Sequence, residues 1–291
     1  MKVEKYRYVY FVIIFTIYAL VIFSNSTIVY LIVIHQSLHE PMYIFIAALL
    51  INSIFCSTTI YPKLLFDVLS EKQIISHTMC HFQYFLFYTS GGSQFLLLAA
   101  MAYDRYVSIC KPLKYPVIMK KTTISVFLVL AWLVPACQVA GSSSLSATRR
   151  IFTLKGNFCS NSLNKLLCVT SNELSIYGVI VLLNLGLLPM LFILFTYTKI
   201  IIIAFQSCGD VRRKAVQTCL PHLLVLMNCS VLITYDVVIV KLESDFPKTA
   251  RFVMTLQIIT YNPLCNPIIY GLKMKEISKH LKSKKGNWNI L

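Results

Sequence analysis

The residue types in this sequence that could most clearly carry out a chemical role are at the end of a long apolar run. They are Asp104, Arg105 and Tyr106. A carboxylate next to a guanidinium at a membrane boundary is a charged pair that can hold or release a neighbouring helix. Charges at such a depth are costly unless they are paired or hydrated. An isolated Asp-Arg-Tyr would more often be an ordinary helix-end arginine whose head group reaches the membrane surface.

A second feature is the pair Asn266-Pro267, which is followed by Tyr270. Proline has no backbone N–H, so it removes one helical hydrogen bond and kinks the helix. The side chain of Asn266 can then occupy the carbonyl group that proline leaves free, or it can bind water. The pair predicts a hinge within a helix, and the simpler alternative is a kink in an inert helix.

The other reactive residue types are scattered along the chain. The six histidines do not cluster with acidic residues at metal-ligand spacing, and the ten cysteines contain no CxxC pair. No serine or cysteine nucleophile motif is present. We therefore predict that the chain is not an enzyme and that it holds no metal and no cofactor.

The composition indicates that lipid is the main solvent of the chain. Hydrophobic residues make up 57% of the 291 residues, charged residues make up 13%, and the mean hydropathy is +0.70. A soluble domain averages about 25% charged residues. The net charge of +16 could suggest a nucleic-acid partner, but the basic residues lie between apolar runs and form no mixed basic and aromatic surface. We expect no binding of nucleic acid.

Seven stretches are long and apolar enough to cross the hydrocarbon core of a bilayer as helices, which takes about 20 residues each. They are 8–34, 41–66, 82–109, 122–141, 174–205, 215–240 and 251–271. The second is interrupted by Asn52, Pro62 and Lys63, which a bundle interior or an interface can accommodate. The sequence therefore predicts one domain, an all-α membrane protein with a bundle of seven transmembrane helices.

An odd number of spans places the two ends of the chain on opposite sides of the membrane. The tail 272–291 is rich in lysine, which favours the cytoplasmic side. The resulting excess of Lys and Arg on that side is small, so charge favours this topology without fixing it. We expect a multi-pass protein of the plasma membrane, with its N-terminus outside and its C-terminus in the cytoplasm.

Five segments, in order and at matching intervals, resemble the signature motifs of vertebrate odorant receptors, a branch of the rhodopsin-like G-protein-coupled receptors. They are MAYDRYVSICKPLKY at 101–115, PMY at 41–43, TYTKI at 196–200, KAVQTCLPHL at 214–223 and NPLCNPIIY at 262–270. Each motif alone is weak, but together they cover nearly the whole chain. The resemblance implies a small-molecule odorant, volatile or water-soluble, and a heterotrimeric G protein of the stimulatory or olfactory type as partners, within membrane lipid.

The resemblance also implies roles in signalling for the residues of these motifs. Arg105 would engage the C-terminal helix of the G protein once the sixth span swings outward, and Asp104 would restrain Arg105 at rest. Tyr106 completes this coupling triplet. Tyr197 and Tyr270 would stabilise the open state.

The same resemblance implies that Cys80 forms a disulfide with Cys168, which would fold the loop between spans four and five over the ligand pocket. Cys159, in the same loop, is either free or a competitor for Cys80. Such a bond is favoured on the extracellular side, which is oxidising.

The sequence departs from the family's usual pattern in three places. Ser53 stands where a second-span aspartate usually binds sodium, so we expect no carboxylate-based sodium site. Cys229-Ser230 replaces the usual Phe-Tyr of the sixth span. The N-terminal segment is short and lacks the family's glycosylation sequon. These departures favour impaired surface delivery or activation more than a different fold.

The resemblance places the ligand between spans three, five and six. On the third span, Phe87, Ser90, Gly91 and Gln94 lie at i, i+3, i+4 and i+7, so they share one helical face. Gln94 is a polar group at membrane depth and is expected to face the interior. Phe87 could equally serve in packing.

On the sixth span the predicted ligand contacts are Ile233, Tyr235 and Lys241. Ile233 could equally serve in packing. Lys241 would attract an anionic head group, although a solvated loop charge is the simpler interpretation and Asp236 could neutralise it.

Other functions remain as alternatives. Two keep the receptor class: a non-olfactory chemosensory receptor of the rhodopsin-like type, and a signalling-impaired remnant. A transporter or channel would require paired charges at the span centres, broken helices and repeat symmetry, and the sequence has no acid–base pair at the span centres and no internal repeat.

Overall fold

A computed structural model describes residues 3–70, 74–147, 154–155, 172–206, 219–220, 222–230, 248–273 and 277. Apart from a pair of two-residue strands and short 3-10 turns, the elements are helices. The helices are α1 (Val3–Ile34), α2 (Pro41–Leu69), α3 (His77–Cys110), α4 (Lys121–Ala147), α5 (Asn172–Leu182, a π-helical turn Leu183–Leu187, and Leu188–Gln206), α6 (219–220 and 222–230) and α7 (Lys248–Lys273). The short helix Tyr115–Ile118 lies between α3 and α4.

Five of these helices are long and apolar enough to cross a membrane within the described ranges. The qualifying segments are Tyr6–Ile34, Pro41–Leu69, Thr78–Cys110, Lys121–Ser142 and Ile176–Gln206. The predicted sixth span, 215–240, falls largely outside the described residues, and its described part is helical.

The helices extend past the apolar stretches that hydropathy marks. α3 begins at His77, five residues before the predicted start at residue 82, because the Ser76 hydroxyl accepts a hydrogen bond from the Met79 N–H at 3.3 Å. A side-chain cap satisfies one of the free N–H groups of the first turn. The start of α3 is therefore set by a polar capping group, which a search for apolar length does not detect.

α3 is the centre of the bundle and packs against α2, α4 and α5, while α1 packs against α2 and α7. Phe45, Leu49, Leu97 and Met101 are fully buried in the main core. Large apolar side chains on α1, α4 and α5 are exposed outward, as expected for faces that contact lipid.

The π-helical turn of α5 precedes Pro189, whose missing N–H deprives the Leu185 carbonyl of its α-helical partner. The Leu188 N–H donates to the Leu183 carbonyl, five residues back. Such turns widen a helix locally. Leu185 is buried there and points at Gly92 of α3.

The two strands are β1 (Ile74–Ile75) and β2 (Leu154–Lys155), which pair antiparallel. This pairing joins the segment before α3 to the loop between α4 and α5. Cys80, one turn into α3, is disulfide-bonded. Its predicted partner Cys168 and the alternative Cys159 lie outside the described residues, so the pairing stays a prediction.

Candidate functional site

One end of α3 carries a buried charged cluster. The guanidinium of Arg105 donates from Nε at 2.9 Å and from Nη2 at 2.5 Å to Asp104 Oδ2. The hydroxyl of Tyr115, on the short helix after α3, donates to Asp104 Oδ1 at 2.8 Å. Asp104 is fully buried and Arg105 nearly so. The carboxylate is thus held on both oxygens, and Arg105 is turned towards it.

Tyr115 is the last residue of the MAYDRYVSICKPLKY motif, but the sequence analysis gave it no role. Burial raises the pKa of its phenol, and the neighbouring Asp104 carboxylate raises that pKa further. Tyr115 therefore stays protonated near neutral pH and can donate its hydrogen bond to Asp104.

A second group of polar side chains, from α5, α6 and α7, lies buried beside this cluster. Tyr197, His222 and Tyr270 are each at most 2% exposed. The Tyr270 hydroxyl lies 3.4 Å from His222 Nδ1. Tyr197 Oη and His222 Nε2 have no hydrogen-bond partner among the described atoms. Sequence reasoning assigned roles to both tyrosines and none to His222, although His222 lies within the KAVQTCLPHL motif.

The proline hinge of α7 is tied to two other helices. Pro267 cannot donate to the Pro263 carbonyl, and the side-chain amide of Asn25 on α1 donates to that carbonyl at 2.9 Å. Asn266, which the sequence offered for this role, instead donates to Ser53 Oγ on α2 at 3.1 Å. The free carbonyl is therefore satisfied across the helix interface with α1 and not within α7.

Tyr106 lies apart from this cluster. It is half-buried against the core, and Lys111 Nζ lies 5.7 Å from the centre of its ring. Beyond it, the turn Pro112–Lys114 presents Leu113 at 95% exposure. A large apolar side chain that is almost completely exposed next to two lysines, Lys111 and Lys114, is a candidate protein contact.

A polar cluster joins α3, α6 and α7 about 16 Å along α3 from Arg105, at 1.5 Å per residue. Gln94 Nε2 donates to Cys229 Sγ at 2.9 Å, and Asn262 Nδ2 donates to Gln94 Oε1 at 3.4 Å. Asn262 Oδ1 accepts from Asn228 Nδ2 at 3.1 Å and from Cys229 Sγ at 3.4 Å. We call these four residues the Gln94 cluster. It includes Cys229, one of the two residues that stand where the resembled family usually has Phe-Tyr.

The other predicted contacts on α3 have different neighbours. The Ser90 hydroxyl donates to Asn52 Oδ1 on α2 at 2.9 Å, so it faces α2. A Cβ built on Gly91 would meet no atom within 4 Å, so Gly91 borders open space. Phe87 packs against the small core between α1, α2 and α7. Ile233, Tyr235 and Lys241 lie outside the described residues.

Metal binding has no support in the described part of the chain, where no group of three or more His, Cys, Asp or Glu side chains converges. The polar clusters consist of amides, hydroxyls, one imidazole, one thiol and one ion pair. Such groups suit hydrogen bonding and conformational coupling rather than bond-breaking chemistry.

Comparison with known proteins gives consistent matches over almost the whole chain. A sequence profile of the family described as "Olfactory receptor" matches residues 14–284. Human olfactory receptor 13C2 is 30% identical over 294 residues, covering 94% of this chain and 89% of that protein. Human olfactory receptor 10K1 is 32% identical over 286 residues, covering 94% and 88%. Human olfactory receptor 13C9 is 32% identical over 303 residues, covering 95% and 91%.

Proposed function

The chain belongs to the olfactory receptor family, and from this premise we propose that it binds a small odorant and activates a heterotrimeric G protein. It is an all-α, multi-pass membrane protein with the seven-transmembrane bundle of that family, and it is not an enzyme. The proposed ligand pocket lies between α3, α5 and α6. The proposed orientation has the N-terminus outside and the C-terminus in the cytoplasm, and the proposed G protein is of the stimulatory or olfactory type.

The observation that carries this proposal is the buried Asp104–Arg105 pair with Tyr115 on its second oxygen. A buried guanidinium is stable only while a carboxylate neutralises it. An outward movement of α6 would give Arg105 a competing environment of water and partner groups. The pair is therefore a two-state element that a distant ligand can bias, which is the physical requirement for coupling between two sites.

The ligand contacts of the proposed pocket are predictions. Gly91 and Gln94 supply its α3 side, with Phe87 and Ser90 at its edge, and Ile233, Tyr235 and Lys241 supply its α6 side. Cys229 and Ser230 stand in place of the family's usual Phe-Tyr and would take up less of the proposed pocket than two aromatic rings. Few polar groups are available, which favours modest affinity and broad selectivity.

Cyclic AMP accumulation across an odorant panel tests the function, in cells that express the chain with an olfactory G protein. We expect at least one odorant class to raise cyclic AMP in a dose-dependent manner. Silence across a broad panel, with the receptor stained at the cell surface, would favour the signalling-impaired remnant. The observation that favours this second candidate function, a signalling-impaired remnant, is the absence of the family's usual aromatic pair in the sixth span.

Replacing Gln94 with leucine tests the ligand site. This change removes the hydrogen bonds to Cys229 and Asn262 and leaves the part-buried side-chain N–H of Asn262 without its Gln94 acceptor, a cost of about 1–3 kcal/mol. We expect the EC50 of the best agonist to rise roughly tenfold, which corresponds to about 1.4 kcal/mol. Ser90→Ala is the comparison, since the Ser90 hydroxyl faces α2. An equal shift in both variants at matched surface expression would contradict a specific role for Gln94.

Replacing Leu113 with alanine tests the G-protein surface. Full burial of a leucine against a partner contributes about 1.5–3 kcal/mol, so its loss should weaken coupling by about tenfold or more. We expect a lower maximal cyclic AMP response with unchanged odorant binding. Leu113→Met keeps the apolar contact and should signal normally. A normal maximal response in Leu113→Ala would show that this exposed side chain is not part of the interface.

A further inference from the structure

A groove between α2 and α3 lies outside the proposed odorant pocket. It has a volume of about 500 Å³ and is lined mainly by apolar side chains, with a few polar groups. That volume is in the range of small-molecule sites, roughly 300–1,000 Å³. Phe55, Met79 and Phe82 line it and are exposed on the outer surface of the helices. In a bilayer these side chains contact lipid, so a membrane amphiphile can enter the groove laterally.

Polarity changes along the length of this groove. Near the Cys80 end of the bundle it is lined by Lys63 and Ser76, and deeper in the bilayer by Phe55, Phe82 and Leu86. Eight residues of α2 separate Phe55 from Lys63, which is about 12 Å at 1.5 Å per residue. The groove therefore extends from the membrane surface to near the middle of a hydrocarbon core that is ~30 Å thick.

At the charged end of the groove, the group that faces the membrane is a cation. Lys63 Nζ forms an ion pair with Asp67 Oδ1 one turn away on α2. Asp67 is fully buried, whereas the Lys63 side chain is 21% exposed. The buried side of the pair is thus the carboxylate, and the accessible side is the ammonium. An ammonium has three N–H donors, so donors beyond the one directed at Asp67 can serve an anionic group.

We propose that this groove binds one phospholipid of the surrounding leaflet. Its phosphate lies at Lys63 and Ser76, and one acyl chain runs along Phe55, Phe82 and Leu86. The negative phosphate complements the exposed ammonium of Lys63. The apolar part of the groove matches the length of an acyl-chain segment, whereas a small odorant would fill only part of the groove. On the proposed orientation of the chain, this is the outer leaflet.

Native mass spectrometry of the purified full chain tests the site, after reconstitution in equal amounts of phosphatidylglycerol and phosphatidylcholine. We expect one retained phospholipid, with phosphatidylglycerol preferred by about threefold, as a single partly exposed charge allows. Met79→Trp, which fills the groove, should abolish retention. Leu133→Trp places the same ring on an exposed face of α4 and should leave retention unchanged.

A double variant, Lys63→Gln with Asp67→Asn, removes the charges without leaving a buried carboxylate unpaired. It should lose the preference for phosphatidylglycerol, whereas Lys63→Arg should keep it.

Retention unchanged in Met79→Trp, or lost equally in Leu133→Trp, would overturn the proposal. If Met79→Trp does not fold, the double variant tests the proposal instead. A preference for phosphatidylglycerol that persists in the double variant would overturn the proposal. A shift in odorant potency by Met79→Trp without any change in lipid retention would indicate an odorant site instead. The lipid readout requires no signalling, so it fails or succeeds independently of the proposed receptor function.

Discussion

Replacing Asp104 with asparagine is expected to raise ligand-independent cyclic AMP production about tenfold. Asp104 is fully buried and accepts hydrogen bonds from Arg105 and Tyr115. Removing one partner of a buried ion pair costs several kcal/mol, because the remaining charge is left uncompensated. Arg105 avoids that cost in an open state where it reaches water or a G protein. Only about 1.4 kcal/mol of this difference is needed for a tenfold shift in population.

Tyr115→Phe is the matched control for this variant, since it removes one neutral hydrogen bond and leaves the ion pair intact. A neutral bond contributes about 0.5–1.5 kcal/mol, so basal signalling should rise less than in Asp104→Asn. Surface expression is measured in parallel, because the resting fold also loses stability. Basal cyclic AMP that stays at the wild-type level in Asp104→Asn, at equal surface expression, would show that the pair does not restrain the receptor.

Replacing Gly92 with alanine is expected to cause a large loss of stability. A Cβ on Gly92 would lie 2.9 Å from Leu185 Cδ1 and 2.9 Å from Pro135 Cβ. The tip of the leucine can move, but the proline ring is fixed to the backbone of α4. Overpacking of this kind costs about 1–3 kcal/mol. The receptor should show a lower melting temperature in detergent and a smaller fraction at the cell surface.

Gly91→Ala is the neighbouring control, because a Cβ there meets no atom within 4 Å. Alanine is favoured over glycine inside a helix by roughly 0.5–1 kcal/mol. Gly91→Ala should therefore be as stable as the wild type or slightly more stable. Equal melting temperatures for the two alanine variants would contradict the close approach of α3, α4 and α5 at Gly92.

The long apolar runs and the five motifs were enough to predict the fold class, because a helix in lipid must satisfy its own backbone and so requires a minimum apolar length. Hydropathy could not locate the polar first turn of α3, whose start depends on the Ser76 cap. The π-helical turn before Pro189 was also missed, since a proline within a span predicts only a disturbance of the hydrogen-bond ladder.

The contacts of the site depend on which helices meet, and the sequence contains little of that information. Asn25 satisfies the Pro263 carbonyl across 238 positions of the chain, whereas local reasoning offered Asn266. The i, i+4 spacing on α3 predicted one shared face for Ser90 and Gln94. Their partners nevertheless differ, because Ser90 meets α2 and Gln94 meets α6.

The cyclic AMP response of Arg105→Ala to the best agonist, at surface expression matched to the wild type, tests the central claim most directly. Arg105 is the group that the buried Asp104 holds and that we propose a G protein captures. We predict that the agonist response disappears while binding of the odorant persists. A response of wild-type size in Arg105→Ala would contradict this account, because signalling would then proceed without the charged group on which the proposed switch depends.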